Sequence, residues 1–213
     1  VNFPSNMMYY QMFECLYEYD SVKYNFKERA NALKKTIIEK SFNGTFFEDN
    51  AIREDGKLQL KWHISEACQY YAFDSGVADK ESFPDLYYKL SNELTPDRNP
   101  EKSYPNVGKP NIIVGLLMRE TMLLKYGEIE KALRETKEIY SVMAKSKKTI
   151  WEKVAPSASC NHGIAGYSAY IIVGALTGYR GYEKGKPIFS DNYAKIDCKI
   201  QFAGGVTVTV KDG

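Results

Sequence analysis

An alternation between two kinds of helix constrains this chain more than any other feature. Apolar residues recur at helical spacing over seven segments, roughly 6–19, 24–40, 63–75, 82–94, 110–126, 128–144 and 163–177. The run Ile112, Val114, Leu116, Leu117, Met118, Met122, Leu123, Leu124 is apolar on nearly every face, as a helix enclosed by other helices must be. Its successor keeps one stripe, Ile129, Ala132, Leu133, Thr136, Ile139, Tyr140, Met143, and turns Glu128, Glu130, Lys131, Arg134, Glu135 and Lys137 to solvent. The same pairing holds earlier. Met7 to Tyr19 and Ile64 to Phe73 are apolar and aromatic, and their successors carry stripes at Phe26, Ala30, Leu33, Ile37 and at Phe83, Leu86, Leu90, Leu94.

Short links end the apolar members at Tyr19-Asp20-Ser21, Asp74-Ser75-Gly76 and Lys125-Tyr126-Gly127, a little over fifty residues apart. The chain is therefore an internal repeat of helical hairpins, with a period longer than the ~34 residues of tetratricopeptide units. The links after the outer helices, Ser41 to Trp62, Thr95 to Pro110 and Lys145 to His162, are long and hold both tryptophans. Short links close one end of each hairpin, so the long ones gather at the other, where a rigid scaffold builds its site.

Alternating inner and outer helices suit either an open solenoid or a closed α/α toroid. Inner helices this apolar favour closure, because a solenoid's concave face stays partly polar. The expected fold is mainly α: hairpins of the (α/α)6-toroid type, about half a barrel, with a short C-terminal β segment. The switch follows Gly178, where Ile196, Cys198, Ile200 and Phe202 precede the alternating Val206-Thr207-Val208-Thr209-Val210. Residues 1–180 are expected to be a partial barrel and 181–213 the start of a β-sandwich domain. The last strand's partner lies earlier in the chain or is missing. The first dozen residues hold no signal peptide, and the chain reads as cut from something longer.

Charge narrows the partners. The balance of 29 Lys+Arg against 27 Asp+Glu, net +2, contains no long run of one sign, which leaves no footprint for nucleic acid or an anionic membrane. The most apolar stretch, Ile164 to Leu176, falls short of the ~20 residues that span a bilayer. Cys15, Cys68, Cys160 and Cys198 are too dispersed for a zinc ribbon or a disulfide scaffold, and they leave the compartment open among cytoplasmic, periplasmic and secreted. Asn43-Gly44-Thr45 fits a glycosylation sequon, a pattern frequent by chance.

Phosphate-cradling loops, zincin motifs and nucleophile elbows are absent, and His63 and His162 are too few for a histidine-rich metal site. The third long link is different. Thr149-Ile150-Trp151-Glu152 is followed, ten residues after Glu152, by His162 in Ser159-Cys160-Asn161-His162-Gly163. Singly, Glu152 reads as a solvated loop carboxylate, Trp151 as core and His162 as a helix cap. Together on one loop they form the equipment of a sugar site: an apolar face for a pyranose, hydrogen bonds for hydroxyls, and a carboxylate to take a proton from water.

These residues resemble the late barrel segment of bacterial α-L-rhamnosidases, glycoside hydrolase family 78, most strongly over 147–178. The resemblance implies Glu152 as general base of an inverting hydrolysis and His162 as a residue of the rhamnose pocket, with Asn161 and Trp151 holding the sugar. Ser65-Glu66-Ala67-Cys68-Gln69-Tyr70 and Asn106-Val107-Gly108-Lys109-Pro110 match the family more weakly. Trp62, Glu66 and Asp49 are lesser substrate-binding candidates on neighbouring loops. The family's general acid belongs to an Asp-Glu-Arg stretch with no counterpart here, upstream on the first half of the barrel. Lys147 and Lys148 replace the usual Gly-Ala, and the spacing from Glu152 to His162 is about half the family's. No metal or cofactor is implied, and the partners are a rhamnoside and the rest of the parent chain. Alone, the chain is expected to be inactive and to self-associate through uncovered inner helices. Two other functions fit the same pattern: another α/α-barrel hydrolase of trehalase or glucoamylase type, and a non-catalytic helical-repeat binding module.

Overall fold

The computed structural model describes residues 1–21, 24–61, 63–155, 157–183, 185–201, 205 and 207–211, without the side chains of 113 and 183. Trp62, Phe202 and Val206 lie outside the described residues. The fold is mainly α, with small two-stranded sheets and a short β segment at the C-terminal end. Two compact units divide it, Val1–Pro110 and Asn111–Gly213.

The first unit holds two helical hairpins. Helix α1 (Phe3–Tyr19) is capped by Asn2, whose side chain accepts the Ser5 N–H, and has Pro4 in its first turn. It packs on α2 (Phe26–Ser41) and on α3 (Glu66–Ser75). The second hairpin continues from α3 to α4 (Pro84–Tyr88), which runs on as a π-helical turn over Lys89–Glu93. The core of the unit is Phe3, Met7, Ile37, Phe47, Tyr70, Phe73, Leu86 and Leu90. Met8, Tyr9 and Met12 of α1 stay exposed.

Strands stitch the long links of this unit together. A hairpin of β1 (Ala51–Glu54) and β2 (Lys57–Leu60) turns on Asp55-Gly56, both with positive φ (48° and 78°), the two-residue turn whose twist matches that of the strands. Strand β3 (Ile64–Ser65) pairs in parallel with β4 (Val107–Gly108), which joins the first long link to the second. Asn2 bridges Asn50 as well, so the start of α1, the start of α3 and both links meet at one end.

In the second unit the chain breaks before α5 (Leu117–Lys125). Over Ile112–Leu116 a π-helical turn is interrupted at Gly115, whose φ of 158° and ψ of −62° suit a residue without a Cβ. The strongly amphipathic α6 (Ile129–Ser146) covers α5, as its single stripe dictates. Across this hairpin Arg119 donates to Glu135 through Nε and one terminal nitrogen, at 2.7 and 2.9 Å, with both side chains buried. A 3-10 turn over Gly163–Tyr167 leads into α7 (Ser168–Thr177), which packs on α5 and α6.

After α7 come two antiparallel hairpins, β5 (Tyr179–Glu183) with β6 (Lys186–Phe189) and β7 (Cys198–Gln201) with β8 (Thr207–Val210). The terminal strand thus finds its partner earlier in the same chain. Among the described residues no helix is long and apolar enough to cross a membrane.

Candidate active site

The link from α6 to α7 folds back on itself. His162 donates its N–H to the Ile150 carbonyl at 2.8 Å, Glu152 donates its N–H to the Ser159 carbonyl at 2.9 Å, and the Thr149 hydroxyl donates to the Cys160 carbonyl. A further bond runs from Ile112 N–H to the Glu152 carbonyl at 3.3 Å. Both backbone groups of Glu152 are therefore fixed while its side chain is half-buried. Asn111, beside that tether, caps the broken turn by accepting the Val114 N–H at 2.6 Å. Tyr140 of α6 donates its hydroxyl to the Ala165 carbonyl at 3.2 Å, which holds the turn after His162 in place.

Trp151 lies beneath this ribbon, 2% exposed, with its N–H directed at the Met143 sulfur at 3.4 Å. That backbone bond ties the ribbon to α6, and the buried ring presents no open stacking face, unlike the role the sequence gives it. Asn161 is exposed and His162 half-buried. Trp151 Nε1 and His162 Nδ1 are both buried without a hydrogen-bond partner among the described residues. Leaving such groups unpaired costs about 1–3 kcal/mol each, so this stretch is not optimised for stability alone. The backbone bonds of the ribbon set the half that carries Glu152 beside the half that carries Asn161 and His162.

In the first unit, Asp49 is a junction. One carboxylate oxygen meets His63 Nδ1 at 2.7 Å, and the other accepts the Ser65 N–H at 2.9 Å and the Ser65 hydroxyl at 3.0 Å. The Ser65 oxygen in turn accepts the Cys68 N–H at 3.1 Å and so caps α3. The Asp49 backbone joins the start of α1 to His63, accepting from Phe3 and donating to the His63 carbonyl. Because Asp49 grips it from one side, the His63 imidazole is oriented, and its side chain remains 67% exposed. The Cys68 thiol is buried against the Glu48 carbonyl, and burial pushes its pKa well up.

Glu66 takes a role different from the sugar contact expected of it. It is 1% exposed, and its carboxylate is engaged by the Arg98 guanidinium at 2.7–2.8 Å and by the Tyr70 hydroxyl at 3.1 Å. Arg98 also donates to the carbonyls of Ser103 and Val107. The pair clamps the second long link onto α3 and leaves the carboxylate no open surface for a ligand.

Glu120 of α5 escapes the sequence reading. It is buried, neither carboxylate oxygen has a hydrogen-bond partner among the described residues, and burial raises its pKa to about 8. At neutral pH it is an uncharged acid. The visible signal was the pair Arg119-Glu120 interrupting an otherwise apolar helix. Arg119 finds Glu135, and Glu120 finds no cation of its own.

No family model and no curated sequence matches the chain. Among solved structures, the fold is similar to the crystal structure of the GH78 family rhamnosidase of Bacillus sp. GL1, with a TM-score of 0.57 and 20% sequence identity. That match covers 74% of this chain and 17% of the rhamnosidase chain. The likeness is one of fold.

Proposed function

We propose that the chain carries the water-activating part of a glycosidase site acting on terminal α-L-rhamnosides, with Glu152 as general base. What carries this reading is the Glu152 carboxylate, held by its own backbone bonds on a ribbon that also bears Asn161 and His162. The fold's similarity to a GH78 rhamnosidase adds a scaffold on which such a loop is at home.

Glu152 takes a proton from water as that water attacks the anomeric carbon. The glycosidic oxygen leaves from the opposite face and needs a proton from a second carboxyl, which in an inverting enzyme stands about 6.5–9.5 Å from the first. That acid is proposed to come from a residue outside these 213. Asn161 and His162 hydrogen-bond the sugar hydroxyls, and Trp151 holds the ribbon from below.

The test uses a polypeptide that carries this chain together with the proposed acid, assayed on an aryl α-L-rhamnoside. Glu152→Gln removes the base while keeping the shape, and kcat is expected to fall by about 10²–10⁴-fold. A fall below about tenfold removes the assignment. Proton NMR of the first-formed sugar is expected to show the inverted anomer.

A further inference from the structure

We infer that the first unit contains a binding cleft for a neutral sugar ring, formed by Phe46, Ile64, Tyr104, Asn43, Thr45 and Asn106. The cleft has a volume of ≈ 490 Å³, inside the range of about 300–1,000 Å³ typical of small-molecule sites. It opens at the end where the long links meet, because Ile64 and the neighbouring Val107 are the paired residues of β3 and β4.

Its walls are sorted by chemistry. Phe46, Ile64 and Val107 supply an apolar floor, and Phe46 meets the Tyr104 ring edge-on, with centroids 5.7 Å apart and an interplanar angle of 90°. Tyr104 is held there at some conformational cost. Its φ is +53°, in the left-handed region that a bulky residue rarely adopts, and its hydroxyl is pinned by the Glu93 carboxylate. Hydrogen bonds freeze the rim. Asn43 accepts the N–H groups of Thr45 and Phe46 at 3.1 and 3.0 Å and donates one amide hydrogen to Glu48 Oε1 at 3.4 Å, which leaves its second amide hydrogen to offer a ligand. The Asn106 side chain is exposed and makes no hydrogen bond to another described residue.

The residues lining the cleft carry no charge. An ion placed here would be desolvated without a partner, which is costly. A wholly apolar ligand would strand the amides and the threonine hydroxyl at the rim. A pyranose has what both walls require: a face of C–H groups for the floor, and hydroxyls for Asn43, Thr45 and Asn106. The inference rests on the carbohydrate reading of this fold, but not on Glu152.

The experiment titrates the full chain with methyl α-L-rhamnopyranoside and, separately, methyl α-D-glucopyranoside, following backbone amide shifts by NMR. Saturable millimolar binding is expected for at least one of the two, with shifts centred on Thr45, Phe46, Ile64 and Asn106. Asn106→Trp fills the mouth and should abolish those shifts. Asn106→Ala should weaken binding severalfold, and Glu152→Gln should leave it unchanged. Shifts confined to 149–162 and lost in Glu152→Gln would overturn the cleft while leaving the Glu152 proposal standing. Binding unaffected by Asn106→Trp, or no binding of either glycoside, would overturn the cleft outright, whereas the Glu152 assignment answers only to the rhamnoside hydrolysis assay.

Discussion

At the residue scale, the buried acid Glu120 makes a sharp prediction about pH. Its folded pKa of about 8 lies above the ordinary value of 4.5, because burial disfavours the charged form. Between those values the folded state holds a proton that the unfolded state has lost, so stability falls as pH rises, by at most about 1.4 kcal/mol per pH unit. The loss is complete once pH passes the folded pKa. Thr136, Glu135 and Arg119 act on this carboxyl, and Arg119 is already committed to Glu135. Glu120→Gln removes the titration, and thermal melts of this variant are expected to show a flatter profile than wild type from about pH 5 to 8. Equal slopes for the two proteins would mean Glu120 is ionised in the fold. The α6–α7 link stood out in the sequence because Glu152, Asn161 and His162 share one loop, whereas the backbone bonds that fold this loop onto itself had no sequence signal. The burial of Trp151 was not legible, since a tryptophan suits a stacking face and a core position equally.

At the element scale, the helices were legible and much of the stitching between them was not. Periodicity finds a helix because its buried face repeats every few residues, and each of the seven segments contains one in the structure. The β1–β2 hairpin was announced by Asp55-Gly56 between Ile52 and Leu58, a turn signal hidden inside a link read only as long. The Glu66–Arg98 clamp joins residues 32 apart with no local pattern to betray it. Removing one partner of a buried ion pair strands the other, so Arg98→Ala is expected to cost about 3–5 kcal/mol in urea unfolding. Arg98→Lys should recover little, because a single ammonium cannot serve Glu66 and the carbonyls of Ser103 and Val107 at once. The Arg119–Glu135 pair offers a contrast. Arg119→Met alone should destabilise by a similar ~3–5 kcal/mol, while Arg119→Met with Glu135→Leu should restore most of it. A double variant as unstable as the single one would show that the pair does more than neutralise charge.

At the scale of the whole molecule, the first unit gathers its two long links at one end of its helices, and the second carries the Glu152 ribbon on the single long link between α6 and α7. Met8, Tyr9 and Met12 form an exposed apolar strip on a helix that the sequence marks as an inner one. The isolated chain is therefore expected to self-associate, with the weight-average mass from sedimentation rising with concentration, and Met12→Lys should weaken the effect. A monomer at every concentration would remove that expectation. A net charge of only +2 does little to oppose such contacts. The Asp49–Ser65–Cys68 chain of bonds has a consequence for labelling chemistry. Cys15 is exposed, whereas Cys68 is sealed beneath the cap of α3 as a neutral thiol. An aromatic disulfide reagent should modify Cys15 quickly and reach Cys68 only when the first unit opens, which makes that thiol a built-in clock for the opening.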